Sequence, residues 1–84
     1  MKPIRFSGHA RDQIGRRGVH EDEVIFAIRN APWQSADRGR LECQYDFSFA
    51  NVWNGKYYET KQVRPVFAEE VNEIVVVTVY SYYF

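Results

Sequence analysis

The spacing of apolar residues changes once along this chain, from a helical period to a strict alternation, and the change falls near residue 40. Before that point apolar residues recur every three or four positions, which is typical of amphipathic helices. After it apolar and polar residues alternate, which is typical of strands buried on one side. Helices followed by strands predict an α+β domain. Because 84 residues supply only one hydrophobic core, we expect a single domain over residues 1–84.

Two helices are predicted in the N-terminal half. Ser7 is a favourable N-cap for the first, which we expect to run to about Arg17, with Gly18 ending it in a left-handed conformation. His20 occupies the N-cap position of the second helix, and Pro32 stops it. The first turn of that second helix is acidic, as the helix dipole favours, and consists of Glu21, Asp22 and Glu23.

The strands of the C-terminal half are predicted from alternation and turn signals. Residues 41–47 alternate between apolar and polar types, which indicates one half-buried strand. The pair Asn54-Gly55 between apolar residues is a strong hairpin signal. Residues 61–68 form a further strand, in which we expect Pro65 to lie at an edge or at a bulge.

The last strand, over residues 74–83, is the most apolar part of the chain. Alternation places Val75, Val77 and Val79 on one face, and a second group on the other face, namely Ile74, Val76, Thr78, Tyr80 and Tyr82. A strand that is apolar on both sides is normally central in its sheet. The whole pattern therefore predicts two N-terminal helices packed on a twisted antiparallel sheet of about four strands.

Composition excludes several classes of protein. With 45% hydrophobic and 26% charged residues, the chain is not expected to be disordered. No apolar run reaches the roughly 18 residues of a membrane span, and the N-terminus lacks the apolar stretch of a signal peptide. Cys43 is the single cysteine, so we expect no internal disulfide. These features predict a cytoplasmic protein that does not associate with a membrane.

The net charge of zero conceals an asymmetry between the two halves. Residues 1–40 contain eight Lys and Arg against five Asp and Glu, whereas residues 41–84 contain three against six. All arginines except Arg64 lie in the first half. Arginine suits phosphate because its planar fork donates two hydrogen bonds at once. The first half therefore indicates a local phosphate-binding face, and a solvated arginine-rich surface is the alternative interpretation.

Metal, nucleotide and cysteine chemistry find little support in the motifs. His9 and His20 stand eleven positions apart, and Cys43 has no cysteine partner, so we predict no protein-bound metal. The five glycines are scattered and form no phosphate loop, so we predict no nucleotide cofactor. Cys43 could act as a nucleophile with a histidine, but its position on the apolar side of its strand favours a buried structural thiol.

Metal-free cleavage of RNA is the chemistry that the remaining polar residues support. The 2′-hydroxyl of RNA is the nucleophile, so the protein must supply a base, an acid and positive charge near the phosphorus. Histidine suits acid or base catalysis near neutral pH, and arginine suits the phosphate. The residue types required are present as His9, Arg16 or Arg17, Arg40, Thr78 and Tyr80.

Each candidate also has a structural interpretation. His9 could help to cap the first helix, and Arg17 could span the turn after it. Thr78 and Tyr80 are residue types that strands favour without any chemistry. The aromatic residues that look exposed could stack on bases, fill the core or contact a protein; they are Trp33, Trp53, Tyr57 and Tyr58. The alternative function is therefore a non-catalytic binding module for a protein or a nucleic acid.

Several short motifs along the chain resemble one known family. These are Phe6-Ser7-Gly8-His9-Ala10, Gln13-Ile14, Arg17-Gly18-Val19, Glu23-Val24, Ala31-Pro32 and Val77-Thr78-Val79-Tyr80. Together they resemble the bacterial "domain of unknown function 4258" family, whose members open with a His-Ala pair and an Arg-Gly and close with a Thr-Val-Tyr strand. The likeness extends over most of the chain. Gln13 departs from it, since arginine or another polar residue is common there, and so does His20, where a serine usually caps the second helix.

The resemblance implies a function as well as a fold. The family is grouped with the RelE-like toxins and with the wider ribonuclease fold that includes barnase. It implies a toxin-like, metal-independent endoribonuclease, encoded beside a small antitoxin protein, that acts on RNA either free or associated with the ribosome. Carried over by position, the expected catalytic residues are His9, Arg17, Arg40, Thr78 and Tyr80. Four further residues are expected to bind the RNA: Gln13, Arg16, Arg38 and Arg64.

Overall fold

The computed structural model describes residues 1–84, and its two helices and six strands confirm the α+β class. The helices are α1 (Gly8–Arg16) and α2 (Glu21–Asn30). The strands are β1 (Ile4–Phe6), β2 (Gln34–Ser35), β3 (Leu41–Glu42), β4 (Tyr45–Trp53), β5 (Lys56–Glu69) and β6 (Ile74–Tyr83), and a 3₁₀ turn, Asp37–Gly39, precedes β3. Neither helix has the length and apolar character needed to cross a bilayer.

The predicted helix ends are confirmed by their capping contacts. The Ser7 hydroxyl accepts a hydrogen bond from the Ala10 N–H at 3.1 Å, so α1 begins where the sequence indicates. Gly18 follows α1 with a φ of +68°, a conformation that glycine adopts without strain. The His20 N–H donates to a Glu23 carboxylate oxygen at 2.9 Å, as in a capping box, and α2 starts at the next residue.

The sheet is mixed and has six strands, so the prediction of an antiparallel sheet of about four strands is wrong in two respects. The strands follow the order β1-β6-β5-β3-β2, and β4 also pairs with β5. Residues Ile4–Phe6 of β1 run parallel to residues 74–76 of β6, while the other pairs are antiparallel. β1, β2 and β3 have two or three residues each, too few for an alternation to show in the sequence.

The strand predicted over residues 41–47 is interrupted at Cys43 and Gln44, and β3 and β4 both pair with β5 on either side of the break. The break lies opposite Pro65, whose carbonyl accepts from the Cys43 N–H at 3.3 Å. In an antiparallel strand the N–H and C=O of one residue point to the same neighbour. Proline has no N–H, so the ladder loses a bond at this point and two short strands replace one. Pro65 thus lies in a strand with neighbours on both sides, beside a local interruption.

The Asn54-Gly55 hairpin is confirmed. These two residues connect β4 to β5 and have φ angles of +51° and +81°. A two-residue turn with both φ angles positive matches the right-handed twist of the strands that it joins.

A bulge at Val77 decides which side chains of β6 face the helices. Val66 pairs with Thr78 and Phe67 pairs with Val76, so Val77 has no partner on β5. The extra residue reverses the alternation, and Ile74, Val76 and Val79 are all buried in the core against the helices. The faces predicted from uninterrupted alternation are therefore wrong for the first half of β6, and Thr78, Tyr80 and Tyr82 lie on the face away from the helices.

The edge of β6 beyond Val76 has no neighbouring strand, because β1 is only three residues long. Side chains of α1 and of Arg17, which follows it directly, take its place. The Gln13 amide oxygen accepts from the Val79 N–H at 2.8 Å, and the Arg17 guanidinium donates to the Val79 carbonyl at 2.7 Å. Ser81 and Tyr83 hydroxyls donate to the Arg17 carbonyl. The prediction of a central strand therefore holds for residues 74–76, and the remainder is an edge that a helix covers.

The buried thiol of Cys43 supplies a first prediction. Its side chain is 1% exposed, and burial, followed by the nearby Glu42 carboxylate, raises its pKa to about 11 from an ordinary value of 9.0. At about pH 8 the reactive thiolate is then about 100-fold scarcer than in an ordinary thiol. We expect iodoacetamide to alkylate the folded protein at least about 100-fold more slowly than the urea-unfolded chain. Equal rates in the two states would contradict the burial.

The same pKa shift predicts a loss of stability at alkaline pH. A thiol with a raised pKa holds its proton more tightly in the folded state than in the unfolded state. The contribution of the protonated thiol to the free energy of unfolding is complete below about pH 9. It falls as the pH rises from about 9 to 11. Urea unfolding of wild type and Cys43→Ser across this range checks it, since the serine variant lacks the titrating group. An equal pH dependence in both proteins would rule the thiol out as its source.

Candidate functional site

A cavity of about 410 Å³ lies on the face of the sheet that is turned away from the helices. Three arginines line it, together with two hydroxyl-bearing residues and two carboxylates: Arg38, Arg40, Arg64, Thr78, Tyr80, Asp37 and Glu42. We call it the arginine cavity. Its volume lies within the roughly 300–1,000 Å³ that is typical of small-molecule sites.

The floor of the arginine cavity is built from neighbouring residues on β5 and β6. Arg64 pairs with Tyr80, and Val66 pairs with Thr78. Residues directly opposite each other in an antiparallel pair project from the same face of the sheet. The bulge at Val77 is therefore what brings the two hydroxyls to this face, together with Arg64.

The wall of the cavity comes from the 3₁₀ turn before β3. The Arg40 N–H donates to the Asp37 carbonyl at 3.3 Å, and the Ala36 N–H donates to the Arg40 carbonyl at 2.8 Å. Arg38 has a φ of +62° and a ψ of +33°, a left-handed conformation that costs a non-glycine residue about 1–2 kcal/mol. The loop holds Arg38 in this conformation, and the Arg38 and Arg40 side chains both line the cavity.

The Tyr80 ring lies close to two guanidinium groups. The Arg64 Cζ is 5.0 Å from the ring centroid, and the Arg17 Cζ is 5.2 Å from it. Arg64 also lies 5.6 Å from the Tyr82 ring centroid and donates to the Tyr82 hydroxyl at 3.0 Å. The Arg64 Nε is buried without a hydrogen-bond partner, so this arginine retains an unsatisfied donor. The aromatic contacts fix the position of a positive charge at the cavity.

The charges that line the cavity sum to a positive value. Three guanidinium groups stand against the carboxylates of Asp37 and Glu42. Glu42 approaches Arg64 at 3.7 Å, which is an ion-pair distance and too long for a hydrogen bond. An excess of guanidinium groups in a concave surface favours an anion with several acceptor oxygens, such as a phosphodiester.

Five predicted site residues meet at this cavity. Three of them are expected catalytic residues, Arg40, Thr78 and Tyr80, and two are expected RNA-binding residues, Arg38 and Arg64. These five come from three separate stretches of the chain, namely the turn before β3, strand β5 and strand β6. Their convergence makes this cavity the candidate functional site.

The four predicted residues of α1 lie outside the cavity lining. Arg17 reaches Tyr80 across the β6 edge, and Gln13 is only 6% exposed and occupied with Val79. Gln13 therefore closes the sheet edge, and its amide oxygen is occupied by the Val79 N–H. Arg16 is exposed and has no hydrogen bond in the structure.

His9 lies on the helix side of the β6 edge. It is exposed and makes no hydrogen bond. The Ser7 N–H donates to the Val76 carbonyl, and Gln13 contacts Val79. Because His9 lies between Ser7 and Gln13 in the sequence, it stands beside residues 76–79 of β6. His9 does not line the cavity that contains Thr78, so a ligand has to extend beyond the cavity to contact both.

Glu42 is a feature of the cavity that the sequence did not single out. The only signal was the alternation near residues 41–47, which placed Glu42 on the polar side of its strand. Its position beside Arg64 follows from pairing between β3 and β5, which the sequence does not specify.

Metal ligands do not gather at the cavity or elsewhere in the chain. The structure contains no group of three or more His, Cys, Asp and Glu side chains arranged to hold a metal ion.

Comparison with known proteins identifies a family. Neither a curated protein nor a solved structure matches the chain. A family model described as "Domain of unknown function (DUF4258)" matches residues 6–81. That range contains α1 and α2 and every residue that lines the arginine cavity. The chain belongs to the DUF4258 family.

Proposed function

We propose that this protein is a metal-independent endoribonuclease of a toxin–antitoxin system, acting in the cytoplasm with the arginine cavity as its phosphate site. One observation supports this most strongly: three arginines and the hydroxyls of Thr78 and Tyr80 line a single open cavity. These groups are suited to stabilise the negative charge that develops on a phosphodiester during its cleavage. A small antitoxin protein is the proposed partner.

In the proposed reaction the RNA supplies its own nucleophile, the 2′-hydroxyl next to the bond that is cut. The 2′-oxygen attacks the adjacent phosphorus, its proton goes to a base, and the 5′-oxygen leaves with a proton from an acid. The products are a 2′,3′-cyclic phosphate and a free 5′-hydroxyl. Arg38, Arg40 and Arg64 would hold the phosphate oxygens, and the Thr78 and Tyr80 hydroxyls would orient or protonate them.

His9 would serve as the acid or base for RNA that crosses the β6 edge. A strand of RNA bound in the arginine cavity and passing over Thr78 reaches the flank of α1 on which His9 is exposed. Arg17 stands at the same edge, against Tyr80, and adds positive charge along this path. The imidazole is suited to proton transfer near neutral pH.

Cleavage of RNA by the purified protein tests the proposal. We expect single-stranded RNA to be cut in the presence of excess EDTA, because no metal takes part. The same sequence with 2′-O-methyl groups should resist, because its nucleophile is blocked. Intact RNA after prolonged incubation, together with normal growth of cells expressing the protein without an antitoxin, would refute the endoribonuclease.

Replacing Arg40 with alanine should weaken RNA binding through the phosphate. For single-stranded nucleic acid, each phosphate contact contributes about 0.7 to the slope of log affinity against log salt concentration. We therefore expect Arg40→Ala to reduce that slope by about 0.7, measured by fluorescence anisotropy with a labelled 2′-O-methyl RNA. Arg29→Ala, which removes an exposed arginine of α2 that does not line the cavity, is the matched control. An equal change in both variants would mean that the cavity is not the phosphate site.

A second candidate function is a non-catalytic module that binds RNA or a protein partner. The observation that favours it is the position of His9 outside the cavity lining. It predicts salt-dependent binding of RNA without any cleavage product, or binding of a protein that barely changes with ionic strength. The anisotropy and cleavage measurements above separate the two candidates.

A further inference from the structure

Glu42 is a half-buried carboxylate whose hydrogen-bonding capacity is unused. Its side chain is 21% exposed, and the nearest cation, the Arg64 guanidinium, stands 3.7 Å away. No group in the structure donates a hydrogen bond to either of its oxygens. Pairing between Glu42 and Val66 places it on the same face of the sheet as Arg64 and Thr78. It therefore presents free acceptors to whatever occupies the cavity.

A negative charge at this position opposes the phosphate that the three arginines attract. A site that bound phosphate alone would gain from a neutral or positive residue here. A nucleotide, however, presents two kinds of group, acceptors on the phosphate and donors on the Watson–Crick edge of some bases. Several guanidinium groups beside the half-buried Glu42 carboxylate are complementary to both parts of such a ligand.

The bases differ in how well they suit a carboxylate. Guanine presents two adjacent donors, N1–H and the N2 amino group, that the two oxygens of one carboxylate can accept together. Adenine and cytosine present one amino group beside an acceptor nitrogen, which the carboxylate repels. Uracil presents one N–H between two carbonyl oxygens. Guanine is therefore the base that forms the most hydrogen bonds with a carboxylate and meets the least repulsion from it.

We infer that Glu42 gives the arginine cavity a preference for guanine, and this inference rests on the proposed function. The arginines hold the phosphate, and the Glu42 carboxylate accepts from N1–H and the N2 amino group of the neighbouring base. A bidentate contact of this kind is typically worth about 5- to 150-fold in discrimination.

Four RNA substrates that differ in one base test the inference. Each is a short uridine oligonucleotide with guanosine, adenosine, cytidine or inosine at one central position, and an all-uridine strand is the reference. We expect cleavage at guanosine to exceed the reference by at least about fivefold, and we expect inosine, which lacks the N2 amino group, to lose most of that gain. Glu42→Gln should bring the guanosine-to-uridine ratio to within about twofold of unity.

Asp37→Asn is the matched control, because it neutralises the other carboxylate of the cavity at an exposed position in the loop. We expect it to change cleavage of all substrates by a similar factor and to leave the ratio intact. If Glu42 only holds Arg64 in place, Glu42→Gln will lower every rate equally, and that result would overturn the inference while leaving the endoribonuclease in place. Absence of both binding and cleavage for all five strands would instead reject the proposed function, and the inference with it.

Discussion

Replacing His9 with alanine is expected to lower the rate of RNA cleavage by about 10²–10⁴-fold, the usual contribution of one positioned acid or base. The expectation follows from the place of His9 on α1, exposed beside the β6 edge, with no hydrogen bond that would divert the imidazole to a structural role. RNA held in the arginine cavity and crossing that edge brings its reacting atoms toward this side chain. The rate is measured with a single RNA oligonucleotide at saturating protein.

His20→Ala is the matched control for the other histidine. His20 precedes α2 and is exposed, and its backbone N–H rather than its imidazole forms the contact with Glu23. We expect the rate of this variant to stay within about threefold of wild type. Binding of 2′-O-methyl RNA should be nearly unchanged in both variants, since neither residue lines the cavity. Normal cleavage by His9→Ala would exclude this histidine and move the proton transfers to groups that line the cavity.

The helices were predictable because their signals are local. Ser7 and His20 cap α1 and α2 through residues only three positions away, and Gly18 supplies a conformation that the chain itself requires. The Asn54-Gly55 turn is local in the same sense. Such features depend on neighbours along the chain, which a sequence displays directly.

The faces of β6 were not predictable because the bulge at Val77 depends on a distant partner. The sequence from Ile74 to Tyr80 is apolar at nearly every position, so nothing in it marks the unpaired residue. The bulge has a packing reason, since it turns Val76 and Val79 toward the same core although they are three positions apart. The candidate site depends on it, because Thr78 and Tyr80 reach the arginine cavity only through this reversal.

The sequence indicates which types of residue a phosphate site needs, but it does not indicate where the fold places them. Arg38 and Arg64, which the sequence predicts to bind RNA, and Arg40, which it predicts to be catalytic, all line one cavity with Tyr80. Gln13 has the same RNA-binding prediction, yet it closes the sheet edge at Val79. Its role depends on β1 being too short to cover that edge. This is a property of the sheet rather than of α1, so helical periodicity could not show it.

The junction between the helices and the sheet depends on Lys61, a lysine that is only 5% exposed. Its Nζ lies 2.9 Å from a Glu23 carboxylate oxygen and donates to the Gly18 carbonyl at 3.0 Å. It also lies 5.3 Å from the centroid of the Phe49 ring. Burial and, after it, the charge of the nearby Glu23 carboxylate raise the pKa of the Tyr83 hydroxyl. One ammonium group thus joins the α1–α2 turn, α2 and β5.

Replacing Lys61 with methionine should lower the free energy of unfolding by about 3 kcal/mol. The methionine preserves most of the volume but leaves Glu23 without its cation and the Gly18 carbonyl without a donor. Removing one partner of a buried pair typically costs about 3–5 kcal/mol, and we expect the lower end because the Glu23 side chain is 20% exposed. The whole free energy of unfolding of a small domain is only about 5–15 kcal/mol, so the urea midpoint of this variant should shift strongly.

Two further variants distinguish the effect of losing the Lys61–Glu23 ion pair from the effect of removing any lysine. Lys56→Met changes an exposed lysine at the β4–β5 hairpin, whose one contact is with the Tyr58 ring, and should cost at most about 1 kcal/mol. The double variant Lys61→Met with Glu23→Gln removes the uncompensated charge and should recover part of the loss. If Lys61→Met were as stable as wild type, or if the double variant were less stable by the sum of both single losses, Glu23 and Lys61 would be energetically independent. The proposed junction would then depend on apolar packing around Phe49 and Gly18, because Lys61 would contribute no pairing energy.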